Sequence, residues 1–154
     1  PMSARPSAAQ QSQLTATVLS VGDGDTFRVQ SQGKTITVRL ACVDAPEMAQ
    51  APYGQAAAQR LKQLLPRGQR VVLSVVETDR YGRTVAEVYA GNTSVNLQLV
   101  KEGLAVVYPQ YLKGCPGLRT PLLQAEQQAK QRRLQFWSQS QPMMPWDYRR
   151  QKRG

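Results

Sequence analysis

The segment RLACVDAPE, Arg39 to Glu47, runs out of an apolar stretch into two carboxylates, Asp44 and Glu47, and carries an arginine at its start. A second acidic segment, GDGD, lies upstream and contains Asp25; a third, DRYGR, lies downstream and contains Tyr81 and Arg83. The chain has no histidine. The commonest general base is therefore missing, and so is every Ser-His or Cys-His mechanism. Zinc held by histidine is excluded, and two cysteines are too few for a cysteine-only zinc site. Chemistry is left to carboxylates, Arg, Lys, Tyr or a hard metal ion. Carboxylates converging on one point suit a hard divalent cation with oxygen ligands, with backbone carbonyls completing the shell. The irregular backbone at Ala45-Pro46 can offer such a carbonyl. Each residue also has a plainer reading. Asp23 and Asp25 are favoured turn residues, Arg39 suits the solvated face of a strand, and Arg83 suits an ordinary hairpin.

The elements around these residues decide whether they can meet. LTATVLSVGDGDTFRVQSQGKTITVRLACVDAPE contains three strand-like runs, separated by GDGD and SQGK at hairpin spacing. Thr35, Thr37 and Arg39 alternate with Ile36, Val38 and Leu40, the period of a half-buried strand. A hairpin centred near Gln32 sets Asp25 opposite the segment leading to Asp44. PYGQAAAQRLKQLLPRG reads as a helix with Ala57, Leu61, Leu64 and Leu65 on one face, stopped by Pro66 and Gly68. QRVVLSVVETDRYGRTVAEVYAGNTSV is a second hairpin turning at DRYGR. A short helix from Val95 to Glu102 ends at Gly103, and LAVVY is a small strand. PQYLKGCPGLRTP is a loop, and Leu122 to Trp137 is a longer helix. Five strands, a helix between the third and fourth, and helices at the end predict a mainly β chain with helices (α+β): a five-stranded OB-type barrel with about three helices. A mixed α+β sheet fits the same pattern.

The chain divides into a Pro-, Ser- and Gln-rich leader, 1–13, a domain over 14–138, and a basic, Pro-containing tail, 139–154. The leader lacks the apolar bulk to offset its ordering entropy. A start at Pro-Met reads as a trimmed end, from which a signal peptide is presumed removed. The tail reads as a solvated end or as extra nonspecific attraction for phosphate. No apolar run approaches a membrane span. Twenty Lys and Arg against ten Asp and Glu leave a net charge of +10. That balance is either a solubility device or the footprint of a polyanion such as nucleic acid.

DGDT at Asp23 to Thr26, RLACVDAPE at Arg39 to Glu47 and DRYGR at Asp79 to Arg83 together resemble the staphylococcal nuclease (thermonuclease) family. The spacing between the motifs agrees. VNLQLVKEGLA and the helix ending in FW match later elements, so the resemblance spans about Leu14 to Trp137. It implies an OB-fold barrel with calcium-dependent phosphodiesterase activity on DNA and RNA, leaving 3′-phosphates. It implies that Asp25 and Asp44 hold Ca2+ with the carbonyl of Ala45, where the family more often has Thr. Glu47 matches the general base proposed for the attacking water, and Arg39 and Arg83 match the pair that grips the phosphate. Tyr81, Tyr108 and Tyr111 fall where family members place tyrosines beside the nucleotide, where a base can stack; packing explains most such tyrosines equally well. Taken alone, the two cysteines fit free, buried thiols; resemblance to an exported nuclease implies instead a Cys42–Cys115 disulfide, a secreted or periplasmic location, and a monomer acting on nucleic acid. The competing readings are a noncatalytic OB-fold nucleic-acid-binding module and a basic OB protein for another anionic partner.

Overall fold

A computed structural model describes residues 12–153. The expected leader lies outside the described residues except for Ser12 and Gln13, which already pair with Val75 and Ser74. The strands are β1 (Ser12–Val21), β2 (Thr26–Ser31), β3 (Lys34–Leu40), β4 (Val43–Asp44), β5 (Arg70–Thr78), β6 (Thr84–Ala90), β7 (Thr93–Ser94) and β8 (Val106–Val107). The helices are α1 (Tyr53–Leu64), α2 (Val95–Lys101), α3 (Arg119–Gln131) and α4 (Pro145–Arg153). Antiparallel pairing runs β3-β2-β1-β5-β6, and a parallel pairing of β3 with β6 closes the ring. The five long strands therefore form the closed OB-type barrel that the sequence pattern predicts.

Alternation places the side chains. Phe27, Val29 and Ser31 of β2 point inward while Arg28 and Gln30 face water, as the period of a strand requires. Val38 and Leu40 of β3 are fully buried. The β2–β3 hairpin turns at Gln32 and Gly33, both at positive φ, and its register pairs Thr26 with Arg39. Asp25 and the end of β3 consequently lie side by side. Beyond β3 the chain turns sharply at Cys42, whose φ is 71°. It then forms β4, which pairs Val43 with Val107 and Asp44 with Val106.

Two devices hold that turn. Asn96 of α2 is fully buried; its amide nitrogen donates to the carbonyls of Ala41 (2.9 Å) and Ala86 (3.3 Å), and its oxygen accepts from Val88 N–H at 2.9 Å. One side chain thus ties β6, α2 and the turn after β3 together. The Cys42–Cys115 disulfide, with Cα atoms 6.5 Å apart, joins the same turn to the loop before α3. The implied pairing is therefore present.

The C-terminal third departs from the sequence reading. The helix expected over Leu122 to Trp137 begins at Arg119 and stops at Gln131. Arg133 and Gln135 adopt positive φ, Phe136 N–H donates to Gly103 carbonyl at 3.1 Å, and residues Gln135–Ser138 form a separate 3-10 turn. The reversal seats Phe136 in the core. Composition alone does not show this, because a tertiary contact, not the local sequence, fixes the reversal that carries Phe136 inward. The expected strand LAVVY is strand only at Val106–Val107, and residues Pro109–Gly114 of the expected loop form a 3-10 turn.

Replacing Asn96 with Ala removes the side-chain partner of Ala41 carbonyl and Val88 N–H and should cost about 2–3 kcal/mol in denaturant unfolding. A loss below about 0.5 kcal/mol would mean that Asn96 does not secure the turn. Replacing both cysteines with Ala should lower stability by up to about 4 kcal/mol, the chain-entropy value for so long a loop. Thiol titration of the unreduced protein should find no free cysteine.

Candidate functional site

Asp25 is placed by three contacts. Its carbonyl accepts from Leu40 N–H at 2.9 Å, its Oδ2 accepts from Ala45 N–H at 2.8 Å, and its own N–H donates to Asp23 Oδ1 at 3.2 Å. Asp23 also accepts from the Thr26 hydroxyl at 2.8 Å. Asp23 is thus a turn residue, as its plainer reading has it, and it fixes its neighbour. Gly24 makes the close approach feasible: a Cβ there would stand 2.6 Å from Ala57 Cβ and 2.8 Å from Ala45 Cβ. The DGD turn, the segment after β4 and helix α1 therefore meet through three small residues.

Arg39 ends β3 with only 14% of its side chain exposed. Its Nη1 donates to the carbonyls of Leu40 and of Val43, the latter at 2.9 Å. Its Nη2 lies 3.3 Å from Asp44 Oδ1 and 3.7 Å from Asp25 Oδ2. One guanidinium nitrogen is therefore shared by both carboxylates, which shows that they converge. Asp44 is fully buried. Burial, with Asp23 and Asp44 nearby, pushes the Asp25 carboxyl up to about 7 against the pull of Arg39. Burial thus outweighs the favourable charge of Arg39 at Asp25.

Glu47 sits beyond β4, before α1. Its N–H donates to Gln50 Oε1 at 2.8 Å, and its carbonyl accepts from Gln50 N–H at 2.8 Å. The start of α1 presses against this segment: a Cβ on Gly54 would fall 2.1 Å from Glu47 carbonyl oxygen. Asp25, Arg39, Asp44 and Glu47 thus gather at one end of the barrel. Among the described residues, no three Asp, Glu, His or Cys side chains form a metal cage by themselves; a cation here would draw on two carboxylates and backbone oxygen.

The other sequence-derived residues stand differently. Arg83 precedes β6, whose Thr84 lies opposite Val38, so it flanks the strand that carries Arg39. Its Nε donates to Asp79 Oδ2 at 2.8 Å, and no contact joins it to Asp25, Asp44 or Glu47 among those described. Asp79 is partly desolvated, but bonds from Arg83 and Tyr81 hold its carboxyl below the ordinary value. Tyr81 is 69% exposed and lies under the guanidinium groups of Arg80 and Arg83, 4.9 and 5.3 Å from its centroid. Tyr108 and Tyr111 meet edge to face at 4.6 Å.

Two tail residues escape the sequence reading. Arg149 of α4 donates through Nη1 to Asp44 Oδ1 at 3.1 Å and to Glu47 Oε2 at 2.9 Å, and through Nη2 to Asp44 Oδ2 at 2.7 Å. Burial opposes its charge, but these bonds hold Arg149 above its ordinary value. Trp146 stacks on Tyr108, with centroids 4.9 Å apart and planes 14° from parallel. The tail is a docked helix, not a free basic end. Its signals were in the sequence: Pro145 at the first helical position, Asp147 in the first turn and basic residues in the last.

A closed five-stranded barrel with a carboxylate–guanidinium cluster at the end of its third strand defines a small OB-fold domain. The pattern described as staphylococcal nuclease homologue matches residues 37–139. An uncharacterized endonuclease of Haemophilus influenzae (strain Rd) is 37% identical over 149 residues, covering 96% of this chain and 79% of that protein. A micrococcal nuclease of Shigella flexneri is 40% identical over 142 residues, covering 86% and 79%. An uncharacterized endonuclease of Escherichia coli O157:H7 is 39% identical over 136 residues, covering 88% and 84%. The chain belongs to the staphylococcal nuclease family.

Gly54→Ala should force the Glu47 segment to move and cost about 1–3 kcal/mol, because the obstacle is backbone. Gly117→Ala, where a Cβ meets nothing within 4 Å, is the control and should leave stability unchanged. Equal unfolding curves for the two variants would show that α1 does not position Glu47.

Proposed function

We propose that this chain is an endonuclease that hydrolyses DNA and RNA phosphodiesters with little sequence preference, using calcium and leaving 3′-phosphate and 5′-hydroxyl ends. The observation that carries the reading is the gathering of Asp25, Arg39, Asp44 and Glu47 at one barrel end, in a chain of a nuclease family.

The cluster fits a hard cation. Asp25 and Asp44 are buried, their oxygens converge on Arg39 Nη2, and a positive group, the Arg149 guanidinium, already rests on both Asp44 oxygens. Asp25, Asp44 and the carbonyl of Ala45 would hold the ion. Bound there, calcium would act as a Lewis acid on a phosphate oxygen. Glu47 holds the attacking water and takes a proton from it as the oxygen adds to phosphorus. The P–O5′ bond breaks, and the 5′ oxygen leaves with a proton from solvent. Arg39 and Arg83 bind the equatorial oxygens, where negative charge grows; guanidinium groups stay charged at any working pH and offer two donors each. Preorganised charge of this kind supplies the largest catalytic contribution in many enzymes.

Tyr81, Tyr108 and Tyr111 supply aromatic faces for nucleotide bases, supported by the exposure of Tyr81 and the paired rings of Tyr108 and Tyr111. The net charge of +10 favours encounter with a polyanion. The disulfide fits maturation outside the reducing cytosol, in a secreted or periplasmic protein. No helix of the described residues is long and apolar enough to cross a membrane.

Digestion of a single-stranded oligonucleotide tests the reading. Cleavage should require calcium, stop in excess EDTA and recover poorly with magnesium, which is smaller and stricter in geometry. Glu47→Gln, Arg39→Lys and Arg83→Lys should each lower kcat at least about a hundredfold with an unchanged circular dichroism spectrum. Full activity in EDTA would overturn the metal assignment. Binding without cleavage by the unaltered protein would overturn the enzyme reading.

A further inference from the structure

We propose that α4 is a built-in plug that competes with the divalent cation and the nucleic acid for the active site. This inference rests on the nuclease reading.

One helix covers three separate parts of the site. Arg149 occupies both carboxylate oxygens of Asp44, at 3.1 and 2.7 Å. The same guanidinium holds Glu47 Oε2 at 2.9 Å. Trp146 lies flat on Tyr108, taking a ring face on which a base would stack. A cation that uses an Asp44 oxygen must displace a group of like charge that already sits there. A water held by Glu47 meets the same obstacle, and a base on that face of Tyr108 must displace the indole. Docking of α4 and loading of the site are therefore mutually exclusive at each of these atoms.

The segment before the helix is aimed rather than adrift. Gln50, which accepts from Glu47 N–H through its side-chain oxygen, donates through its nitrogen to Met143 carbonyl at 2.9 Å. The helix is nevertheless lightly held. Of its residues only Pro145 is buried, and the Arg149 side chain is 30% exposed. An element with so little buried apolar surface opens at modest cost. What keeps it closed is charge pairing and one aromatic stack, both of which a cation and a polyanion can replace. A site whose competent state is only partly populated binds its ligand more weakly in proportion to that fraction. Calcium and nucleic acid together release the plug, and neither alone gains the full affinity of the open site.

Calorimetric titration of calcium into the unaltered protein and into Arg149→Gln tests this directly, with amide hydrogen exchange of residues 146–149 followed in parallel. Arg149→Gln should bind calcium at least about tenfold more tightly, the scale of losing charge-assisted bonds to a buried carboxylate. Its α4 amides should exchange at least about tenfold faster than in the unaltered protein. Saturating calcium with a phosphorothioate oligonucleotide should produce similar acceleration in the unaltered protein, and Trp146→Ala should bind that oligonucleotide more tightly. Equal or weaker calcium binding by Arg149→Gln, with α4 still protected under saturating ligands, would overturn the plug. If the unaltered protein still cleaves in that case, the nuclease reading survives it. If neither protein binds calcium or cleaves, the nuclease reading fails. The exchange of α4 on adding oligonucleotide alone then decides the plug: acceleration supports it, and no change overturns it.

Discussion

Two buried carboxylates that must be neutralised govern the architecture of this protein. Asp44 is fully buried and Asp25 nearly so, and an isolated ionised carboxylate in such a place is costly unless paired. Arg39 supplies one charge between them, held by carbonyls of its own strand and of β4. Ala45 N–H supplies a dipole to Asp25. Burial still pushes the Asp25 carboxyl to about 7. Arg149 supplies a second charge, on both oxygens of Asp44.

Much of the fold serves to keep the acids where they are. The β2–β3 register brings Asp25 to the end of β3, and the turn at Cys42 redirects the chain so that Asp44 returns toward it. Asn96 and the Cys42–Cys115 bond fix that turn from two sides, one from the α2 side and one from the loop before α3. The disulfide also connects the strand bearing Asp44 with the segment bearing Tyr108 and Tyr111. Stability and site geometry are therefore not separable here: what holds the barrel end closed also sets the distances between the charged groups.

Local signals made most of this legible. Alternating residues, turn residues at hairpin spacing and three ordered motifs were enough to anticipate the barrel, its five strands, and the meeting of Asp25 with Asp44. The disulfide came with the family resemblance, not from spacing. The failures have a common physical cause. The helix expected to run to Trp137 ends in a reversal secured by Gly103, and only tertiary contact distinguishes that from a continuing helix. Arg149 and Trp146 read as a solvated end because no periodic rule states that a distant carboxylate will claim a basic tail. Helix signals in that tail were readable; its destination was not.

The destination follows from a conflict between two uses of positive charge. A surplus of ten basic groups helps a nuclease meet a polyanion. Part of that surplus, Arg149, stands on Asp44 and Glu47. A tethered group competes at an effective concentration on the order of millimolar when the linker permits contact, and the short stretch between Ser138 and Pro145 does permit it. A basic tail near a cation-seeking cluster will therefore bind in cis unless a ligand binds better. A singly charged guanidinium on two buried oxygens is strong enough to close the site. On the proposed reading it would yield to a divalent ion and a phosphate arriving together, because the ion would satisfy the acids and the phosphate the arginine. On that reading, the charge that attracts substrate and the charge that excludes it belong to one distribution, and the occupant of Asp44 would set the balance between them.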